Sequence, residues 1–302
     1  MNLTGLLDEA TLQAIEQQDL KTLAKLDKHG LLITPGESAQ AFAARLRKLA
    51  QALKQLQSDV KKHRNFEAAP GIYLAEKNTI DQSIINEALA VNEKLYDVRP
   101  DWVPGYFANE SFGFFWGGCS LSDPDSGMAL FIIRKSFKQK RKWLFYNRQE
   151  LLSHELTHAA HQAFDQWQFE EYFAYRTAHS PLRKYLGGCF IHKFDAWGFL
   201  LPILLLPVVQ FLNISGLVQL PIKYFWIAAG IYPLFLVCRT MFINHMAQRA
   251  RNYLKSLKIK NVDAILFRMS VNEIKTLAHR RMPQGDDLRW ELLAQRLQDK
   301  EN

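Results

Sequence analysis

Cysteine is scarce in this chain. Its three cysteines, Cys119, Cys189 and Cys238, form no C-x-x-C pair and leave one over after any pairing, which excludes a disulfide framework and fits reduced thiols in a cytosolic or membrane setting. No nucleic-acid-binding motif and no continuous basic stripe accompanies the net charge of +8, so nucleic acid is not an expected partner. Met1 to Ala10 lack both a basic stretch and an apolar core, and no cleaved signal peptide is expected there. Charge itself is missing over one long segment: Ala196 to Ile222 hold no Asp, Glu, Lys or Arg.

That uncharged segment, apolar from Trp197 through Leu212, is long enough to cross a hydrocarbon core of ~30 Å, which takes about 20 residues. A second apolar stretch, Tyr224 to Cys238, follows Lys223. It is short unless Lys223 and Arg239 snorkel and Thr240 to Ile243 contribute. Pro202, Pro207 and Pro233 weaken a water-soluble helix but are tolerated in lipid. The expectation is a two-helix transmembrane hairpin over residues 193–243, with a re-entrant or monotopic anchor as the competing arrangement. Arg176, Arg183, Lys184 and Lys193 precede the first span, and Arg239, Arg249, Arg251, Lys255 and Lys258 follow the second, whereas Asn213 to Pro221 carry no Lys or Arg. Positive-inside counting puts both termini on the cytoplasmic side. Two spans without intramembrane charge pairs speak against a transporter.

At 302 residues, 48% apolar and 23% charged, the rest of the chain has globular composition. Its basic clusters, Lys138-Gln139-Lys140-Arg141-Lys142, Arg183-Lys184 and Arg249-Ala250-Arg251, are most simply explained by attraction to the anionic headgroups of a lipid bilayer.

The chemistry-bearing stretch is His154-Glu155-Leu156-Thr157-His158, an H-E-x-x-H motif. On a helix, residues four apart share a face, so both imidazoles can point at one metal ion while Glu155 reaches a metal-bound water as general base. The context is helical. Asn147 with Glu150 reads as a capping box that starts the helix at about Arg148, and Leu152, Leu156, Ala159 and Ala163 form an apolar stripe beside the histidine face. The metzincin pattern is excluded, because His161 and Phe164 stand where Gly and His are required. A second helix beginning near Phe169 can fold back and present a carboxylate. Glu170 and Glu171 are the candidates, and about 100° of rotation per residue allows only one of them to face the histidines.

At this point the sequence resembles the gluzincin metallopeptidases, the thermolysin-like and aminopeptidase-like enzymes in which H-E-x-x-H is followed by a helix carrying a third ligand, Glu. The resemblance covers residues 147–179. It implies Zn²⁺ as cofactor, His154, His158 and Glu171 as its ligands, Glu171 having Glu170 before it and Ala174 three after, and hydrolysis of a peptide or protein substrate. Glu170 stays open as alternative ligand or as a group orienting a histidine. Tyr175 and His179 are candidate oxyanion donors, with Arg176 and His161 also close in sequence. The rival reading is an inactive or structural-zinc membrane scaffold, with Cys119, His161 or Cys189 closing the site.

The expected fold is therefore α+β, mostly helical, with a compact zincin-like metallopeptidase core and a two-helix transmembrane hairpin. Residues 1–66 read as an antiparallel helical hairpin: Asp8 to Lys28 ending at Gly30, then a helix opening at Thr34-Pro35-Gly36-Glu37 and running to Lys62. Residues 67–192 form the catalytic domain. There Asp81 and its neighbours cap a helix reaching Tyr96, and residues 129–133 or 112–116 supply a strand able to pair with an extended substrate. Residues 244–302 form a helical tail, with a capping box at Ser270 and Glu273 and an amphipathic last helix carrying Leu288, Leu292, Leu293 and Leu297.

Overall fold

A computed structural model describes residues 6–63, 65–108, 113, 116–164 and 166–300. The fold is mostly helical with a little sheet. Its first segment breaks where one helix was expected, into α1 (Glu9–Glu16) and α2 (Leu20–Lys28). The break falls at Gln18, whose φ is +59°, and Asp19 then caps α2 by accepting from the Thr22 amide. The next helix, α3 (Ala39–Lys62), starts later than Thr34. Glu37 does reach back to the Thr34 amide, but Gly36, at φ +74°, turns the chain there, and Ser38 is the cap.

A hairpin, β1 (Phe66–Ala69) and β2 (Ile72–Leu74), leads to α4 (Gln82–Tyr96). Three strands follow, β3 (Gly105–Phe107), β4 (Gly118–Asp123) and β5 (Met128–Ile133), in the order β3-β5-β4. β5 is central, parallel to β3 and antiparallel to β4. β4 pairs with it along Met128–Ile133 and β3 along Phe131–Ile133, so Phe131, Ile132 and Ile133 are paired on both sides and are not open to an extended substrate. The alternative stretch, 112–116, lies outside the described residues except for Gly113 and Trp116.

A short hairpin, β6 (Lys142–Trp143) with β7 (Tyr146–Asn147), runs directly into α5 (Arg148–His161), and α6 (Trp167–Arg176) and α7 (Pro181–Leu186) come next. One core joins Leu23, Phe42 and Leu46 of the N-terminal helices to Phe131 of β5 and to Leu152 and Leu156 of α5. The N-terminal helices therefore brace the helix that carries the motif.

Two helices, α8 (Lys193–Ile214) and α9 (Ile222–Ser256), are long and apolar enough to cross a membrane, and little of their apolar length is buried in the protein. Trp197, Phe211, Trp226 and Leu234 are each about 60% exposed or more, as membrane-facing side chains would be and as core side chains of a soluble domain are not. α9 does not stop at residue 243. Its 35 residues continue unbroken, and its last turns bury Ala247, Ala250 and Leu254 in a second core with Phe169 and Phe173 of α6 and with the tail. The tail comprises α10 (Val262–Leu266), α11 (Val271–Ala278) and α12 (Leu288–Gln298). The capping box of Ser270 and Glu273 is formed in both directions. Arg268 pins the tail to the body, donating at 2.8 Å to buried Asp27 of α2 and at 2.7 Å to the Tyr96 carbonyl.

Candidate metal centre

Packing fixes the rotation of both site helices. On α5, Leu152, Leu156 and Ala159 face the first core. Asn92 of α4, fully buried, donates to the Ser153 carbonyl at 3.1 Å and to Thr157 Oγ1 at 2.7 Å. On α6, Phe169, Tyr172 and Phe173 face the second core. What remains on the facing sides is His154 and His158 on one helix and Glu170, Glu171, Ala174 and Tyr175 on the other.

The two imidazoles meet through their Nε2 atoms, 3.1 Å apart. Glu171 closes the triangle, Oε1 lying 3.5 Å from Nε2 of His158 and Oε2 3.8 Å from Nε2 of His154. One ligand atom from each of His154, His158 and Glu171 lies within 4.8 Å of the others, a group able to hold a metal ion. The outer nitrogens are held as well. Glu170 Oε1 lies 2.9 Å from Nδ1 of His158, and the His154 ring donates to the Ala174 carbonyl. A carboxylate or carbonyl behind each of the two histidines fixes its tautomer and orientation, as such partners do behind the histidines of metal sites.

The electrostatics follow from this placement. Burial, with help from His158 and Arg183, pushes the His154 imidazole down to about 3 and keeps it neutral. Burial acts the same way on His158, but the bond to Glu170 and the charge of Glu171 outweigh it and raise it to about 9. Glu170 stays below the usual carboxylate range because His158 is bonded to it. Glu171 is pushed up by burial, against the pull of His158. Glu155 is also raised by burial, opposed by His158 and by a hydrogen bond from Ser120. A carboxylate made more basic beside the cluster suits proton transfer.

The remaining candidates separate. Tyr175 borders the cluster, its ring edge-on to His154 at 4.6 Å between centroids. His179 is drawn off to Glu150, which accepts from its backbone amide at 3.3 Å and contacts its Nδ1 at 3.2 Å. The capping box at the start of α5 is therefore half formed: Asn147 accepts from the Glu150 amide, but the Glu150 side chain turns to His179 and to Arg183 of α7, 2.6 Å away. Arg176 turns to Asp263 at 3.5 Å. His161 is packed among Phe164, Phe173 and Phe267, and burial lowers it to about 4.

None of the three candidates for a fourth protein ligand belongs to the group. Cys189 takes a hydrogen bond from Thr240 at 3.4 Å. Cys119, its thiol raised by burial and by the charge of Glu155, stands on β4. Among the described residues the group has three members, and two imidazole nitrogens plus one carboxylate match the donor set of a zinc site with a position left for solvent.

Sequence reasoning missed Asn92 and Ser120. Asn92 had a signal, a polar residue on the apolar face of α4. Ser120 had none, since only the sheet brings it to Glu155. Compared with known proteins, the chain matches no family model, no curated protein and no solved structure.

Proposed function

We propose that the protein is a membrane-anchored zinc-dependent metallopeptidase of gluzincin type, built on a compact zincin-like core. The observation that carries this reading is the convergence of His154, His158 and Glu171 within 4.8 Å, with Glu155 beside them and, among the described residues, no fourth side chain in the group. Zinc held there supplies polarisation of a water and of a peptide carbonyl. Glu155 takes the proton of the attacking water and returns it to the leaving amine. Tyr175, at the edge of His154, is the better placed of the two candidate donors to the developing oxyanion, because His179 is engaged by Glu150.

β4 is the edge strand of its sheet and carries Ser120, the partner of Glu155. An extended peptide adding to that edge passes the general base. In this reading α8 and α9 cross the bilayer, and both termini and the metal site lie on the cytoplasmic side, as loop charge directs. The scaffold alternative, with structural zinc, calls for a fourth protein ligand to close the site, and none joins the group among the described residues.

The test compares membranes containing the native chain with membranes containing Glu155→Gln. Zinc content should be equal, and fragments present with the native chain should be absent with the variant. Equal zinc with no differing fragment under any condition would remove the peptidase assignment in favour of a scaffold.

A further inference from the structure

The β6–β7 hairpin exposes what a folded surface normally hides. Its two-residue tip is Leu144-Phe145, 48% and 64% exposed, and Leu144 adopts φ +50°, a conformation that a turn ordinarily assigns to Gly or Asn. Below the tip Trp143 is held rigid between the guanidinium of Arg134, 4.4 Å from its ring, and the ammonium of Lys140, 5.8 Å away. Lys135, Lys138, Lys140 and Lys142 surround it, all exposed. Arg141 is paired with Glu87 at 3.2 Å, and no ion pair among the described residues takes up the four lysines. Apolar residues at a stiff tip, collared by unpaired lysines, are what an anionic bilayer surface accepts: the tip enters among the acyl chains and the ammonium groups meet lipid phosphates.

A short series of contacts also ties the hairpin to the point where α9 leaves its apolar half. Arg239 marks the end of the apolar half of α9, and Asn244, five residues or about 7.5 Å further on at 1.5 Å per residue, donates to the Tyr185 carbonyl of α7 at 2.7 Å. α7 is thus at the level of the headgroups, with Leu182 and Tyr185 exposed beside Lys184. Arg183 of α7 is paired with Glu150 in the first turn of α5 at 2.6 Å. The first turn of α5 directly follows β7. β7 runs straight into α5, the helix that carries His154 and His158.

We propose that the β6–β7 hairpin is a second membrane contact, Leu144 and Phe145 inserting into an anionic leaflet beside the α8–α9 hairpin while Lys135, Lys138, Lys140 and Lys142 bind lipid phosphate. The proposal rests on the reading of α8 and α9 as spans, and it sets a membrane contact directly before the helix that carries His154 and His158.

The experiment uses the full chain, its three native cysteines replaced by Ala, with an environment-sensitive fluorophore on Phe145→Cys. It is reconstituted in nanodiscs of phosphatidylcholine alone or of equal parts phosphatidylcholine and phosphatidylglycerol. Lipids with a nitroxide near the headgroup serve as quencher. Labels on Leu201→Cys in α8, quenched by a nitroxide deep in the acyl chain, and on Lys54→Cys, exposed on α3, are the references. The Phe145 label should be quenched several-fold more in the anionic discs than in the neutral ones, and Lys138→Glu with Lys142→Glu should abolish the difference. Quenching at Phe145 that is absent, or equal in both lipids, while Leu201 remains quenched overturns the proposal and leaves the spans standing. Loss of quenching at Leu201 overturns the spans themselves.

Discussion

Glu170 and Glu171 grip opposite nitrogens of one imidazole: Oε1 of Glu170 lies 2.9 Å from Nδ1 of His158, and Oε1 of Glu171 lies 3.5 Å from Nε2 of the same ring. The first carboxylate stands behind the imidazole, and the second belongs to the group able to hold a metal ion. Removing the support should weaken zinc binding by roughly 10–100-fold, the usual cost of losing such a partner, and removing the ligand should cost more. Competition with a chromogenic zinc chelator across native protein, Glu170→Gln and Glu171→Gln reads this order. The reverse order would make Glu170 the ligand.

The sequence placed α5 within a residue of its true start, because an Asn cap and a helix-spaced apolar stripe are local signals. It also singled out His154, Glu155 and His158, whose spacing is itself the chemistry. It left Glu170 and Glu171 unresolved. Their roles depend on how Phe169, Tyr172 and Phe173 turn α6 into a core built with Ala247 and Phe267, residues far along the chain. The same limit applies to the expected helix over 8–28, where leucine spacing continues across Gln18 although the backbone there does not. Pairing of β5 on both sides was hidden too, since an apolar strand carries no mark of which neighbours it will find. The full length of α9 was not legible for a physical reason: its composition changes at Arg239 while its backbone runs on to Ser256 without a break.

Gly187 packs directly on the ring of Tyr175, and a Cβ there would overlap that ring at 2.1 Å. Gly187→Ala must therefore displace Tyr175, which is edge-on to His154. Overpacking of this kind costs about 1–3 kcal/mol. At Gly188 a Cβ would sit 3.3 Å from Cβ of Glu171, a tight contact relieved by a small shift. Gly187→Ala is expected to lower both stability and the proposed peptidase activity, and Gly188→Ala to do so less. Thermal melts and turnover measured on both variants in nanodiscs check the ranking. Equal behaviour would uncouple the 187–189 turn from the centre.

Asp195, at the start of α8, accepts from the amides of Ile191 and His192 and from Tyr232, and is paired with Arg239 of α9 at 2.6 Å. Arg239 also donates to the Cys189 carbonyl at 2.8 Å, so one guanidinium ties the two apolar helices to the turn that packs on Tyr175. Arg239→Ala leaves a buried carboxylate without its countercharge, a loss of about 3–5 kcal/mol. Arg239→Ala combined with Asp195→Asn removes the stranded charge and should recover part of the loss. Unfolding midpoints of the single and double variants in the same detergent read the difference. A double variant no better than the single would show that the carboxylate is not stranded.

Asp27 is buried between Arg268 and Arg296, 2.8 and 2.7 Å away, and joins α2 to the tail. Burial alone would raise its carboxyl, but the two guanidinium groups win and hold it below its ordinary value of 3.8. As pH falls, the unfolded chain takes up this proton before the folded one does. The stabilisation is therefore complete above the unfolded pKa of 3.8 and disappears only as pH drops from there through the lower, folded value. Asp27→Asn leaves buried Arg268 without its carboxylate, at a cost of about 3–5 kcal/mol, whereas Arg296 keeps Asp97 at 2.7 Å. Melting temperatures of native protein and Asp27→Asn should differ by a constant amount across neutral pH and converge only in acid below 3.8. A difference that shrank between pH 7 and 5 would show that Asp27 is not the group that sets it.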